Sequence, residues 1–167
     1  MSGGLNPASP LARLLAGPIR PGLVTWIGVR PARKAALVAL DDVLITREAG
    51  LEGDHYSGRP HGKRQVTLIQ AEDLAAIAGY LDRDVAPGDL RRNIVVSGIN
   101  LHALKDRHFR VGKAVLEATD DCHPCSRMEA ILGPGGYNAV RGHGGITARV
   151  IEGGAVRVGD AVTALTP

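Results

Sequence analysis

The sequence predicts a mainly β protein, a closed or partly open β-barrel with a few peripheral helices. Short apolar stretches with two-residue alternation recur along most of the chain, as strands with one buried face do. Glycine-bearing turns separate them, among them Pro87-Gly88-Asp89, Val111-Gly112-Lys113, Gly153-Gly154 and Gly159-Asp160. Helical periodicity is confined to two or three isolated segments, which suits a barrel with helical decorations.

At 167 residues the chain has enough length for one full core. It is expected to divide into a tail and short helix over residues 1–21 and a single barrel domain over 22–167. Residues 1–8 read as a loose tail. Ser9-Pro10 reads as a helix cap followed by proline at the first helical position, with Leu11, Leu14 and Leu15 on one face packed on the main body. Gly17-Pro18 stops that helix.

Leu23 to Arg30 is a β-rich run, and Ala36 to Thr46 is another, split by Asp41-Asp42 into two strands. A glycine-punctuated loop spans Gly50 to Gly62. Arg64 to Ile69 alternates as a strand, and Ala71 to Leu81 then changes period, placing Leu74, Ile77, Ala78 and Leu81 on one helical face. Asn93 to Val96 is a short buried strand. A polar loop leads to the Val111-Gly112-Lys113 turn and the strand Ala114 to Thr119. A short helix is expected from Ser126. Strand character returns over Ile146 to Ile151 and Val156 to Leu165.

Composition narrows the partners. One Phe, one Trp and three Tyr leave almost no stacking platform for unpaired bases, which weighs against single-stranded nucleic acid. The net charge is +3, and no lysine run marks a DNA or membrane face. The chain lacks the apolar run of a signal peptide or a membrane span, so a cytoplasmic protein is expected. Sixteen arginines against four lysines suit an anionic ligand, although an Arg-, Ala- and Gly-rich genome gives the same excess.

The only two cysteines lie in Asp121-Cys122-His123-Pro124-Cys125, where a strand gives way to a helix. Backbone N–H groups and the helix dipole in such a place favour a reactive or metal-binding thiolate. A zinc site needs four ligands and no second cysteine pair exists. A thioredoxin-like pair lacks its βαβ setting. One working thiolate and two ordinary buried cysteines both remain open.

Three further segments carry polar chemistry. Gly50-Leu51-Glu52-Gly53-Asp54-His55 is a tight loop in which Asp54 or His55 could orient a polar group; an irregular connector is the plainer reading. Arg91-Arg92-Asn93 stands at a strand mouth, where an arginine can fork onto a phosphate and Asn93 can donate and accept, or where two charges are simply solvated. Arg141-Gly142-His143-Gly144-Gly145 is a cationic glycine loop able to wrap an anion, or only a turn. It lacks the strand-loop-helix context of a dinucleotide fingerprint and does not match a Walker loop. No hydrolase constellation is present.

These pieces together resemble the MOSC family, named for the C-terminal domain of molybdenum cofactor sulfurases. The resemblance runs from about Gly22 to Leu165. It rests on the Gly50–His55 and Arg64–Ile69 segments, on Pro87-Gly88-Asp89-Leu90-Arg91-Arg92-Asn93-Ile94-Val95-Val96-Ser97-Gly98, on Pro124-Cys125, on Arg141 to Val150 and on Val158-Gly159-Asp160. It implies a barrel of the MOSC, or pyruvate-kinase-barrel-like, type and a role in binding the molybdenum cofactor or handling its sulfur.

Carried onto this chain, the resemblance implies Cys125 as the functional thiol and molybdenum ligand, and its Arg-x-Asn before a strand falls on Arg91 and Asn93. In a molybdenum enzyme so built, Asp54 or His55 is the candidate proton donor, and Arg91, Asn93 and the Arg141, Gly142, Gly144 and Gly145 loop are candidates for holding molybdopterin. Members of the family include reductases of N-hydroxylated compounds and domains of cofactor sulfurases. This chain has no pyridoxal-phosphate desulfurase domain and no cysteine set for an iron–sulfur cluster. A small-molecule substrate and a separate electron-donor protein are therefore implied, or a cysteine desulfurase if the chain carries sulfur as a Cys125 persulfide or delivers cofactor without catalysis.

Overall fold

The computed structural model describes residues 4–56 and 58–166. The first three residues of the expected tail lie outside the described residues, and residues 4–8 form no helix or strand. Helix α1, Pro10–Leu15, starts as its sequence dictates: Ser9 accepts the Ala12 amide through its hydroxyl, and Pro10 occupies the first turn. It buries none of its residues, however, and Leu11, Leu14 and Leu15 remain exposed. Only six residues long, it leaves packing on the core to Ile19, just beyond Gly17-Pro18.

Among the described residues eleven strands follow: β1 Gly22–Val29, β2 Val38–Leu40, β3 Asp42–Thr46, β4 Gly50–Leu51, β5 Val66–Gln70, β6 Ile94–Ser97, β7 His108–Val111, β8 Ala114–Asp121, β9 Ile146–Glu152, β10 Gly154–Arg157 and β11 Ala161–Ala164. The order β11-β7-β8-β9-β5-β6-β1 closes on itself through the β1–β11 pairs Gly22↔Val162 and Leu23↔Ala161. The barrel is thus closed, which removes the open sheet edges. Strand β2 extends the sheet beyond β1, while β10, β3 and β4 form a separate three-stranded sheet.

Strands β5 and β6 run parallel, so the chain needs a crossover between them. Helix α2, Ala71–Leu81, supplies it with the bounds its periodicity predicts. Two apolar clusters result. The barrel interior holds Ile27, Leu68, Ile94, Phe109, Leu116 and Ala148 among others. Outside the β5–β6 pair, Leu74 and Ile77 of α2 pack with Ile69, Val95, Met128 and Val140.

Four elements escaped the sequence pattern, the first being β4, which opens the stretch read as the Gly50 to Gly62 loop and pairs with β3. Strand β7 and the 3-10 turn Leu101–Leu104 occupy the expected polar loop. The four residues of β7 do alternate, with Phe109 and Val111 inward and His108 and Arg110 outward, but so short a run is masked by its polar half. Helix α3, Ser126–Leu132, forms as expected, and a second helix, α4 Gly136–Val140, follows a glycine-proline stretch with poor intrinsic helicity.

A tertiary cap accounts for α4. The Glu129 carboxylate of α3 accepts the amides of Gly135 and Tyr137, each at 2.8 Å. Those two bonds hold the Glu129 carboxyl below its ordinary value of 4.5. A depressed carboxylate stabilises the fold above its unfolded pKa and loses that contribution as pH falls through the folded one. The protection of the Gly135 and Tyr137 amides, measured against their intrinsic exchange rates at each pH, should therefore fall on acidification below about pH 4.5. In Glu129→Gln it should already be low at neutral pH; unchanged protection in the variant would refute the cap.

No helix among the described residues is long and apolar enough to cross a membrane.

Candidate functional site

Strand register explains why segments far apart in sequence meet. The pairings align Ile27, Ile94, Leu68, Ile146 and Asp121 as one row across β1, β6, β5, β9 and β8. Within a few residues of that row the chain enters or leaves these strands at Arg30, Arg91–Asn93, Arg64-Gln65, Gly144-Gly145 and Cys122–Cys125.

The consecutive residues Arg91, Arg92 and Asn93 have three different environments. Asn93 is buried: its carbonyl oxygen accepts from the Thr67 amide and hydroxyl, and its amide donates to Gly28 O at 3.2 Å. It ties β6 to β5 and β1 with its side chain engaged by protein. Arg92 is also buried and donates to Gly144 O and Leu90 O, each at 2.8 Å, and to Cys122 O at 3.3 Å. Arg91 has φ 61°, a left-handed conformation that turns its half-buried side chain away from its neighbour's path.

The cysteines also differ. Cys122 is buried; its amide donates to Gly145 O at 2.8 Å while its carbonyl accepts from Arg92. Gly144 and Gly145 permit this clasp, since a Cβ at Gly144 would overlap Cys122 O and one at Gly145 would overlap Leu68 O. Cys125 is exposed and starts α3, its carbonyl accepting the Met128 amide. Among the described residues no three His, Cys, Asp or Glu side chains are grouped to share a metal ion, so zinc is not supported and Cys125 stands as a single soft donor.

A cationic cleft in two lobes opens around Arg30 and His55; Cys125 lines neither lobe but stands two residues before the lining Arg127 and within charge reach of Arg91. The first, about 540 Å³, is lined by Arg30, Arg33, Lys34, His55, Arg91 and Arg127. The second, about 500 Å³, shares Arg30 and His55 and adds Tyr56, Arg59, Lys63 and Arg64. Among the described residues no carboxylate lines either lobe. Asp54 lies behind them with its side chain 1% exposed, bonded to the Arg30 guanidinium at 3.0 and 3.2 Å and to the Arg30 amide at 2.7 Å. Asp54 thereby fixes Arg30, while the adjacent His55 faces both lobes.

The charges feel one another. Burial pushes the Arg91 guanidinium below its usual value, Arg127 and Arg30 push it further down, and Asp54 and Cys125 oppose them. Burial likewise lowers Arg92; Cys122 and Cys125 offset it, whereas Arg64 and Arg30 add to it. A bound anion would relieve this crowding.

Of the sequence candidates, His55 and Arg91 line this cleft and Asp54 holds Arg30 behind it, while Cys125 lies outside both linings. Gly144 and Gly145 line neither lobe and act on the Cys122 segment and Arg92. Arg141 and Gly142 are exposed and line neither lobe; Arg141 reaches Asn138 at 3.4 Å. His143 turns to α2, bonding Asp73 at 2.7 Å and packing its ring on Tyr80. Sequence reasoning missed Arg30, Arg33, Lys34, Arg59, Lys63, Arg64 and Arg127. The paired spacing of Arg33-Lys34 and Lys63-Arg64 was the available signal, hidden by the general arginine excess.

A profile of the MOSC domain matches residues 53–163, about two thirds of the chain. The chain belongs to the MOSC domain family. That family is associated with the molybdenum cofactor. Among solved structures, the chain is similar to the YUAD protein from Bacillus subtilis, with TM-score 0.77 and 19% identity over 89% of this chain and 98% of that one. It is also similar to YiiM from Geobacillus stearothermophilus, with TM-score 0.69 and 15% identity over 86% and 75% of the two chains. For YiiM from Escherichia coli the values are 0.66 and 18%, over 87% and 70%. At these identities the MOSC neighbours bear on the fold alone. No curated protein sequence matches the chain.

Proposed function

We propose that this MOSC protein binds the molybdenum cofactor in the first lobe of the cationic cleft, with the Cys125 thiolate as metal ligand, and reduces N-hydroxylated compounds to amines. The observation that carries the reading is an exposed thiol two residues before Arg127, whose lobe gathers Arg30, Arg33, Lys34, Arg91 and Arg127 with no lining carboxylate among the described residues. The donor set fits the cofactor: a soft thiolate suits the metal, and guanidinium groups suit a phosphate.

When bound, the molybdenum centre supplies the two-electron redox chemistry. Arg91, which feels the Cys125 charge, and Arg127, two residues beyond Cys125, hold the phosphate, and Arg30 is aimed by Asp54 to join them. His55 gives a ring N–H proton to the leaving hydroxyl oxygen. The reduction of an N–OH group consumes two electrons and two protons and releases water, so a separate electron-donor protein supplies the electrons.

A second reading, in which Cys125 carries sulfur as a persulfide or the chain delivers cofactor, draws on the exposure of that thiol without a protein partner. The test is expression in a host that makes the cofactor, followed by metal analysis and assay with hydroxylamines under a chemical reductant. Near-stoichiometric molybdenum and amine product are expected. Metal-free protein inactive on every hydroxylamine would overturn the reductase.

A further inference from the structure

We propose that the Arg59–Lys63–Arg64 lobe is a separate anion subsite, taking a second phosphate or carboxylate while the Arg91–Arg127 lobe holds the cofactor's phosphate. The favoured source is an anionic substrate; a second phosphate of a dinucleotide form of the cofactor is the other. The choice of ligand rests on the cofactor reading above, whereas the subsite itself does not.

Three observations separate the lobes. First, the seam between them is fixed: Asp54 holds the Nε and Nη2 of Arg30, so Arg30 cannot swing to serve either lobe at will. Second, each lobe has its own basic residues besides Arg30, and neither has a lining carboxylate to neutralise them. A single phosphate in the first lobe would leave Arg59, Lys63 and Arg64 without a counter-charge in a concave surface, where their fields add.

Third, the second lobe is built on tethered backbone. Lys63 O accepts the Thr119 hydroxyl at 2.5 Å. Gln65 is pinned from both ends, donating to Arg47 O at 2.6 Å and accepting the Val150 amide at 2.9 Å. Arg59 O accepts the Gly62 amide at 3.0 Å and the Tyr56 hydroxyl at 3.2 Å. The cations therefore project from a braced turn, and preorganised donors bind anions at lower entropic cost. Tyr56 adds an aromatic wall, which suits a flat ring bearing the acid.

The direct test is calorimetric titration of inorganic phosphate into cofactor-free protein. Two equivalents per chain are expected; Arg91→Gln with Arg127→Gln should abolish one, and Lys63→Gln with Arg64→Gln the other. No binding, one equivalent, or joint loss of both with either pair would overturn the subsite. A protein that never carries molybdenum still answers this titration, so the subsite and the cofactor reading fail separately.

In loaded enzyme, the Lys63/Arg64 pair should raise KM for a carboxylate-bearing hydroxylamine about tenfold or more, leaving a neutral hydroxylamine and molybdenum content unchanged. Lost molybdenum together with a dinucleotide in the extract would assign the subsite to the cofactor. If KM, molybdenum content and phosphate stoichiometry all stay unchanged, the second lobe is not an anion site.

Discussion

Cys125→Ser should bring molybdenum content and hydroxylamine reduction to background while leaving the melting temperature almost unmoved. The side chain is exposed and its backbone bond to Met128 does not depend on the sulfur. A hydroxyl is a hard, weakly acidic donor that does not replace a thiolate toward a soft centre. Cys122→Ser should do the reverse. It places a hydroxyl in the space of a buried thiol, at a cost of about 1–3 kcal/mol, and keeps the metal. Metal analysis and thermal melts of both variants give four independent readings. If Cys125→Ser retains metal and activity, the thiolate-ligand reading fails. If wild-type protein instead lacks molybdenum and gains one sulfur atom on Cys125 after exposure to a cysteine desulfurase, the carrier reading replaces it.

Much of the fold was legible because several strands bury one face and expose the other. β3 and the first half of β1 alternate clearly, β5 reads as a short apolar run buried on both faces, and α2 changes period where the chain must cross between parallel strands. Closure itself was not legible. It depends on the distant pair β1–β11, which no local pattern announces. Helix α4 was invisible for a related reason: its N-terminal amides are satisfied by Glu129 of another helix, so its stability is absent from its own residues.

The site was legible in its segments and less so in its roles. Tight glycine loops, an arginine pair and a cysteine pair mark places where backbone must approach backbone or charge must be held. Which member of each pair faces outward is decided by tertiary geometry. At Cys122 and Cys125 it is the clasp of Gly145 and Arg92 that buries the first and leaves the second free. The cleft cations come from four separate stretches, and only strand register gathers them.

Neighbouring arginines with opposite duties give the sharpest energetic contrast. Arg92→Met should destabilise the fold by on the order of 3 kcal/mol, or roughly 6–12 °C in melting temperature. The substitution keeps much of the apolar stem but removes the guanidinium, leaving the carbonyls of Gly144, Leu90 and Cys122 without their donor in a buried place. The Cys122–Cys125 segment and the Gly144-Gly145 loop lose their common tie, so metal retention should fall as a consequence. Arg91→Gln should leave the melting temperature unchanged or slightly raised, because it relieves repulsion from Arg127 and Arg30, while weakening phosphate binding in the first lobe. Melts paired with phosphate titration separate the two. Equal thermal losses at both positions would mean that Arg91 is a fold-holding residue and not a ligand for the cleft's anion.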